Sequence, residues 1–220
     1  MERRADTTSS VEIPMCGGTL DGDLVVPRAA RGLVVFAHGS GSSHLSPRNR
    51  FVARQLTEGG LATLLFDLLT AEEEQRDMFT GELRFDIPFL ADRLAFATRW
   101  VVEHRDVASL SIGYFGASTG AAAALRASTM SDVGAIVSRG GRPDLAGDAL
   151  EAVRAPTLFI VGGNDPLVLG MNQEAMGRMP GPGELQVVPG ASHLFEEPGA
   201  LEQVAEYARS WFNRYLTPRS

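Results

Sequence analysis

Strand and helix signals alternate along this chain from residue 32 to its end, with short connections between them. "GLVVFAHG" (32–39) is a short, nearly continuous apolar run of the kind that forms a buried parallel strand, and "LATLLFDLL" (61–69), "SLSIGYF" (109–115), "VGAIVSRG" (133–140), "PTLFIVGG" (156–163) and "ELQVVPG" (184–190) read as the strands that follow. Between them lie helix signals. "SPRNRFVARQLTEGG" offers Ser46 as N-cap, Pro47 at the first helical position and glycines at the exit. "RFDIPFLADRLAFATRWVVEH" (84–104), "TGAAAALRAS", "DLAGDALEAVR", "NQEAMGRM" and "GALEQVAEYARSWFNRYL" read as the remaining helices. Such an alternation folds as right-handed βαβ crossovers into a mostly parallel sheet with helices on both faces. Ahead of it, "VEIPMCGGTLDGDLVVP" predicts an antiparallel hairpin or pair of strands. No repeat, low-complexity tract or linker interrupts the pattern, so residues 1–220 read as one α/β domain.

Residues 70–83, "TAEEEQRDMFTGEL", fit neither pattern. They follow the carboxyl end of a strand, where open α/β sheets bind ligands. Two readings stand: a solvated acidic loop or short helix, and a mobile rim over a pocket.

Composition narrows the functional classes. A formal charge of -7 argues against electrostatic binding to nucleic acid or to an anionic membrane. No stretch reaches the roughly 18 consecutive apolar residues of a membrane helix. The arginine pair in "MERRADTTSSVEIP" has no apolar run behind it, so a signal peptide is not expected. The single cysteine, Cys16, allows no internal disulfide; on the opening hairpin it reads as structural, and a cytoplasmic location is expected. All 20 basic residues are arginine. Schiff-base enzymes, P-loop NTPases and Ser-Lys hydrolases each need a lysine and are excluded in their usual forms. HExxH and Cys-x-x-Cys spacings are missing, so neither a metal nor a cofactor is expected.

One turn carries chemistry. In "SIGYFGASTGAAAAL" an apolar strand enters Gly116-Ala-Ser118-Thr-Gly120 and leaves as an alanine-rich helix. Small flanking residues permit a turn tight enough to lift the serine hydroxyl above the sheet as a nucleophile elbow. The bland alternative is a glycine-rich turn with a serine N-cap, and in a chain with 24 glycines the pattern alone is weak. Partners in the order serine, acid, histidine strengthen it. Asp165 follows the run "PTLFIVGG", with a turn aspartate beside Pro166 as its plainer role; Asp144 and Asp148 are its rivals. His193 lies in "LQVVPGASHLFEEPG"; Glu196 and Glu197 are too close to it in sequence to brace its ring from the side required.

The runs "FAHGSGSS", "GYFGASTGA", "PTLFIVGGNDP" and "PGASHLFEEPG", spanning residues 36–198, resemble the α/β-hydrolase superfamily, in particular its dienelactone hydrolase-related branch. The resemblance implies an eight-stranded sheet without a large cap domain, and a triad of Ser118, Asp165 and His193. It also implies an oxyanion hole from the backbone N–H groups of Thr119 and of Ser40 or Gly41. Dienelactone hydrolase itself has cysteine at the elbow, and serine here puts a lactone substrate in doubt. The implied partner is a small-molecule ester, cleaved through an acyl-enzyme. Two other readings stay open: a binding protein that keeps the fold without catalysis, and a phosphoribosyltransferase name inherited from fused relatives. A phosphoribosyltransferase needs an acidic pair after a strand and a Gly/Thr-rich phosphate loop, and no such segment is found.

Arg139, after the strand that follows the elbow helix, suits a bidentate grip on a substrate carboxylate; the bland reading pairs it with Asp144 or a loop carbonyl. Arg48 and Arg50 are weaker candidates for the same task. His38 and His44 are expected in buried, hydrogen-bonded structural roles.

Overall fold

A strand such as Leu33–Ala37, apolar at every position, has no face it can turn to water. In the computed structural model, which describes residues 7–104 and 106–216, each such run lies inside one eight-stranded sheet. The opening arginine pair, Arg3–Arg4, and the last four residues lie outside the described residues. The strands are β1 (Thr7–Met15), β2 (Gly18–Val26), β3 (Leu33–Ala37), β4 (Ala62–Phe66), β5 (Ile112–Ala117), β6 (Ala135–Arg139), β7 (Thr157–Gly162) and β8 (Gly183–Val188). Their spatial order is β1-β2-β4-β3-β5-β6-β7-β8. The β1–β2 and β2–β4 pairs are antiparallel and all later pairs parallel. The expected hairpin is thus present, turning at Cys16 and Gly17. Cys16 is exposed at that turn and packs no core, unlike the structural role expected of it.

Helices α1 (Pro47–Glu58), α2 (Ala71–Thr80), α3 (Ile87–Glu103), α4 (Thr119–Ala127), α5 (Pro166–Arg178) and α6 (Ala200–Tyr215) cover the sheet. The pleat divides the core in two. Leu33, Val35 and Ala37 join the cluster under α3 and α4, while Val34 and Phe36 join the one under α1 and α6.

Of the readings open for residues 70–83, the short helix is the one formed: Ala71–Thr80 is helical, with Thr70 and Glu73 in a reciprocal capping box in which Glu73 N–H donates to Thr70 Oγ1 and Thr70 N–H to Glu73 Oε2. Residues 143–152 form short 3-10 turns rather than an α-helix, because Gly147 has φ 59° and interrupts them.

Candidate active site

The turn after β5 shows why glycine flanks the serine. A methyl group on Gly116 would lie 2.4 Å from Ala121 Cα, and one on Gly120 would lie 2.2 Å from the Ala37 carbonyl oxygen. Helix α4 therefore sits directly against β5 and β3, closer than any side chain permits. Ser118 is bent to φ 51° and ψ -121°, a conformation that costs on the order of 1–3 kcal/mol. It stands at the N-cap position of α4, yet its side chain caps nothing. The N-cap alternative would have used the hydroxyl; here it is left over for other work.

Three backbone contacts brace the bend: Ser118 N–H donates to the Arg139 carbonyl (3.2 Å), and the Ser118 carbonyl accepts from Ala121 N–H (3.1 Å) and Arg142 N–H (3.0 Å). His193 arrives at the same place from the loop after β8. A methyl group on Gly140 would lie 3.1 Å from the His193 carbonyl oxygen and 3.6 Å from its Cε1. Ser118 and His193 thus both border residues 139–142. Among the described residues no hydrogen bond joins Ser118 Oγ to His193, an open arrangement common before substrate arrives.

Asp165 uses its two oxygens separately. Oδ1 accepts from Val168 N–H (3.4 Å) and caps α5, while Oδ2 accepts from His193 Nδ1–H (2.8 Å). Asp165 therefore makes both the turn contact and a contact with His193. A proton held on Nδ1 leaves the Nε2 lone pair free. Asn164 ties the two loops together: its side-chain amide donates to the Gly190 carbonyl (2.8 Å) and its backbone N–H to the Ala191 carbonyl (2.9 Å). The rival acids are engaged elsewhere. Asp144 takes both ends of Arg142 (2.9 and 2.7 Å) and Asp148 lies 3.6 Å from Arg178. Glu196 pairs with Arg48 (3.2 Å), and Glu197 accepts from Ser192 N–H (3.0 Å).

The loop after β3 closes the other side. His38 is buried; its Nε2 accepts from Leu68 N–H (3.0 Å), so the proton is on Nδ1, which donates to the Gly39 carbonyl (3.0 Å). His44 donates its backbone N–H and its Nδ1–H to Asp67 (2.7 and 2.8 Å). Both histidines are hydrogen-bonded as expected, but only His38 is buried; His44 is partly exposed. Ser40 differs: its N–H donates to Thr119 Oγ1 at 2.8 Å, so the hydrogen expected to face an oxyanion is already spent. Thr119 N–H, the first of α4, has no intrahelical acceptor. A cleft lined by Ser40, Gly41, Leu68, Leu69, Arg84 and Leu90 opens beside this loop.

Arg139 is only 8% exposed and turns away from Asp144, which belongs to Arg142. Its Nη2 donates to Asn49 Oδ1 (3.4 Å) in the first turn of α1, and among the described residues Nε and Nη1 have no partner. Burial, with the charge of Arg48 added, lowers its pKa to about 10. Arg50, by contrast, is an exposed partner of Asp23 at 2.7 Å. Asn49, Asp67 and the Thr119 hydroxyl were not singled out from the sequence; their contacts cross 23 to 90 residues and leave no local signal.

Among the described residues no group of three or more His, Cys, Asp or Glu is placed to hold a metal, and no helix is long and apolar enough to cross a membrane. Comparison with known proteins adds what geometry alone does not. A dienelactone hydrolase from Anabaena variabilis, seen in a crystal structure, is 53% identical with a TM-score of 0.94, over 97% of this chain and 100% of that one. Est1E from Butyrivibrio proteoclasticus shares the fold at 15% identity, with a TM-score of 0.75 over 93% of this chain and 98% of its own. Two Mycobacterium tuberculosis proteins that carry a phosphoribosyl transferase name are 59% identical over 197 residues, 89% of this chain. The chain spans only 44% of their length. The model of the dienelactone hydrolase family matches residues 20–217, and the chain belongs to that family.

Proposed function

We propose that this chain is a serine hydrolase of small esters, with Ser118 as nucleophile, His193 as base and Asp165 as the group that orients the imidazole. The observation that carries the reading is the pairing of a strained, non-capping serine with an Asp165–His193 dyad (2.8 Å) on the same edge of the sheet. Ser118 Oγ attacks the acyl carbonyl while its proton passes to His193 Nε2. Asp165 stabilises the imidazolium that forms. The proton then goes to the leaving alcohol, and water repeats the cycle on the acyl-enzyme.

Arg139 is the specificity element of this reading. A buried guanidinium with two unfilled N–H directions, beside Arg48 and the first turn of α1, suits a carboxylate on the ester. The transferase name of the mycobacterial proteins is not carried over: this chain matches less than half of them and lacks the acidic pair and phosphate loop that chemistry needs.

The test is a fluorophosphonate label read by mass. Wild type is expected to be modified on Ser118 and Ser118→Ala not at all. Equal modification of the two would remove Ser118 from the nucleophile role.

A further inference from the structure

The Thr119 hydroxyl is buried, with the residue only 5% exposed, beside the nucleophile. It accepts from Ser40 N–H at 2.8 Å. A hydroxyl has one proton of its own to give, and among the described residues nothing accepts it. A buried donor without an acceptor is costly, and at a reaction centre it points to a missing ligand atom. The same residue carries a second donor, its backbone N–H, which α4 leaves unused. Both donors belong to the residue that follows Ser118, where the carbonyl oxygen of a substrate under attack must come to rest.

We propose that the Thr119 side chain is a catalytic residue, and that its hydroxyl and its own backbone N–H together hold the oxyanion. Ser40 acts from behind. Its N–H, donated into Thr119 Oγ1, polarises the hydroxyl and makes it a stronger donor toward the anion, as linked hydrogen bonds do. As the Ser118 Oγ–carbon bond forms, the carbonyl π pair moves onto oxygen and the serine proton moves to His193. Thr119 keeps its proton throughout and only shares it with the new charge. The inference rests on the serine-hydrolase reading above, and it changes the source of the second donor from a backbone amide to a side chain.

The experiment compares wild type, Thr119→Val, Thr119→Ser and Ser118→Ala on p-nitrophenyl acetate, with binding of a trifluoromethyl ketone as mimic of the oxyanion state. Valine keeps the shape of threonine and removes the hydroxyl. The expected loss in kcat is about 100-fold with KM little changed, and ketone affinity should fall in parallel. Thr119→Ser, which restores the hydroxyl, should recover most of the rate and of the affinity. A role of side-chain shape alone would lower valine and serine variants alike, and that outcome overturns the proposal; so does a valine variant that loses rate while keeping ketone affinity, as loss of a mere acceptor for Ser40 N–H would give, or one within about threefold of wild type. If Thr119→Val does not fold, the serine variant is judged against Thr119→Ala, with the same two outcomes overturning it. Wild type no faster than Ser118→Ala would instead sink the functional reading itself, and the proposal with it.

Discussion

Asp77, in the connection between β4 and α3, and Arg139, at the end of β6, are both buried charges near the carboxyl edge of the sheet, and the fold treats them in opposite ways. Asp77 has no exposed surface and is fully engaged: Oδ1 accepts from Leu83 N–H (2.6 Å) and Oδ2 from Arg84 Nε–H (2.6 Å). Burial pushes its pKa up, but the hydrogen bonds of Arg84 and Leu83 and the charge of Arg84 outweigh this and hold it below the ordinary carboxylate value. Arg139 has one long bond to an uncharged amide and a second arginine nearby. A paired buried charge fixes the chain around it. An unpaired one costs stability, and its persistence points to something other than stability.

Breaking the first member should have the largest effect. Asp77→Asn leaves Arg84 without its counter-charge and turns an amide donor toward groups that are themselves donors. The expected cost is about 3 kcal/mol, a fall in Tm of about 6–12 °C in thermal unfolding. Residues 70–86 would then loosen first, since Asp77 closes the C-terminal end of α2 onto the turn that starts α3. A loss under about 1 kcal/mol would erase the distinction between the two sites.

The second member should respond with the opposite sign. Arg139→Met keeps much of the volume and removes the charge, so Tm should rise, by about 1–4 kcal/mol of added stability. Turnover of esters that bear a carboxylate should fall relative to neutral esters of the same size. Anionic and neutral esters affected equally would dismiss the grip, and destabilisation like that of Asp77→Asn would make Arg139 a structural residue.

Much of the candidate site was legible because the proposed chemistry demands residue types at fixed spacing. The elbow needs small residues on both sides of Ser118, and glycines 116 and 120 are the visible trace of α4 packed onto β5. Asp165 follows β7, whose apolar run is plain in the sequence, and His193 follows the edge strand β8, of which only Val188 is buried. Helix α5 begins earlier than its periodicity suggests, because Asp165 and Pro166 form an N-cap and first turn that double as part of the dyad. Helix α2 was obscured by its acidic run, although Thr70 and Glu73 carry a capping-box spacing. What the sequence hides is tertiary. Ser40 meets Thr119 across 79 residues and Arg139 meets Asn49 across 90, and no local pattern encodes either contact.

His38 sharpens the comparison as a third case, a buried titratable group that remains neutral. Burial lowers its pKa from the ordinary 6.5, against smaller opposing pulls from the Gly39 carbonyl, Asp67 and Glu74, with His44 adding to the lowering. Both ring nitrogens are in use, so protonation would turn the Nε2 acceptor into a donor facing Leu68 N–H. The sign follows from proton counting. Below 6.5 the unfolded chain takes up a proton that the folded chain refuses, so stability falls as pH drops from that value toward the lower folded pKa, and at pH near 8 the effect is nil. Down to about pH 5 the loss is bounded at about 2 kcal/mol for this group. His38→Gln retains an acceptor for Leu68 N–H and does not titrate, so its stability should change less between about pH 8 and pH 5 than that of wild type, whatever its offset at pH 8. An unchanged pH slope would mean that the loop holding Ser40 opens on acidification before His38 is protonated in place, and that a neutral buried histidine is no firmer an anchor than the unpaired Arg139.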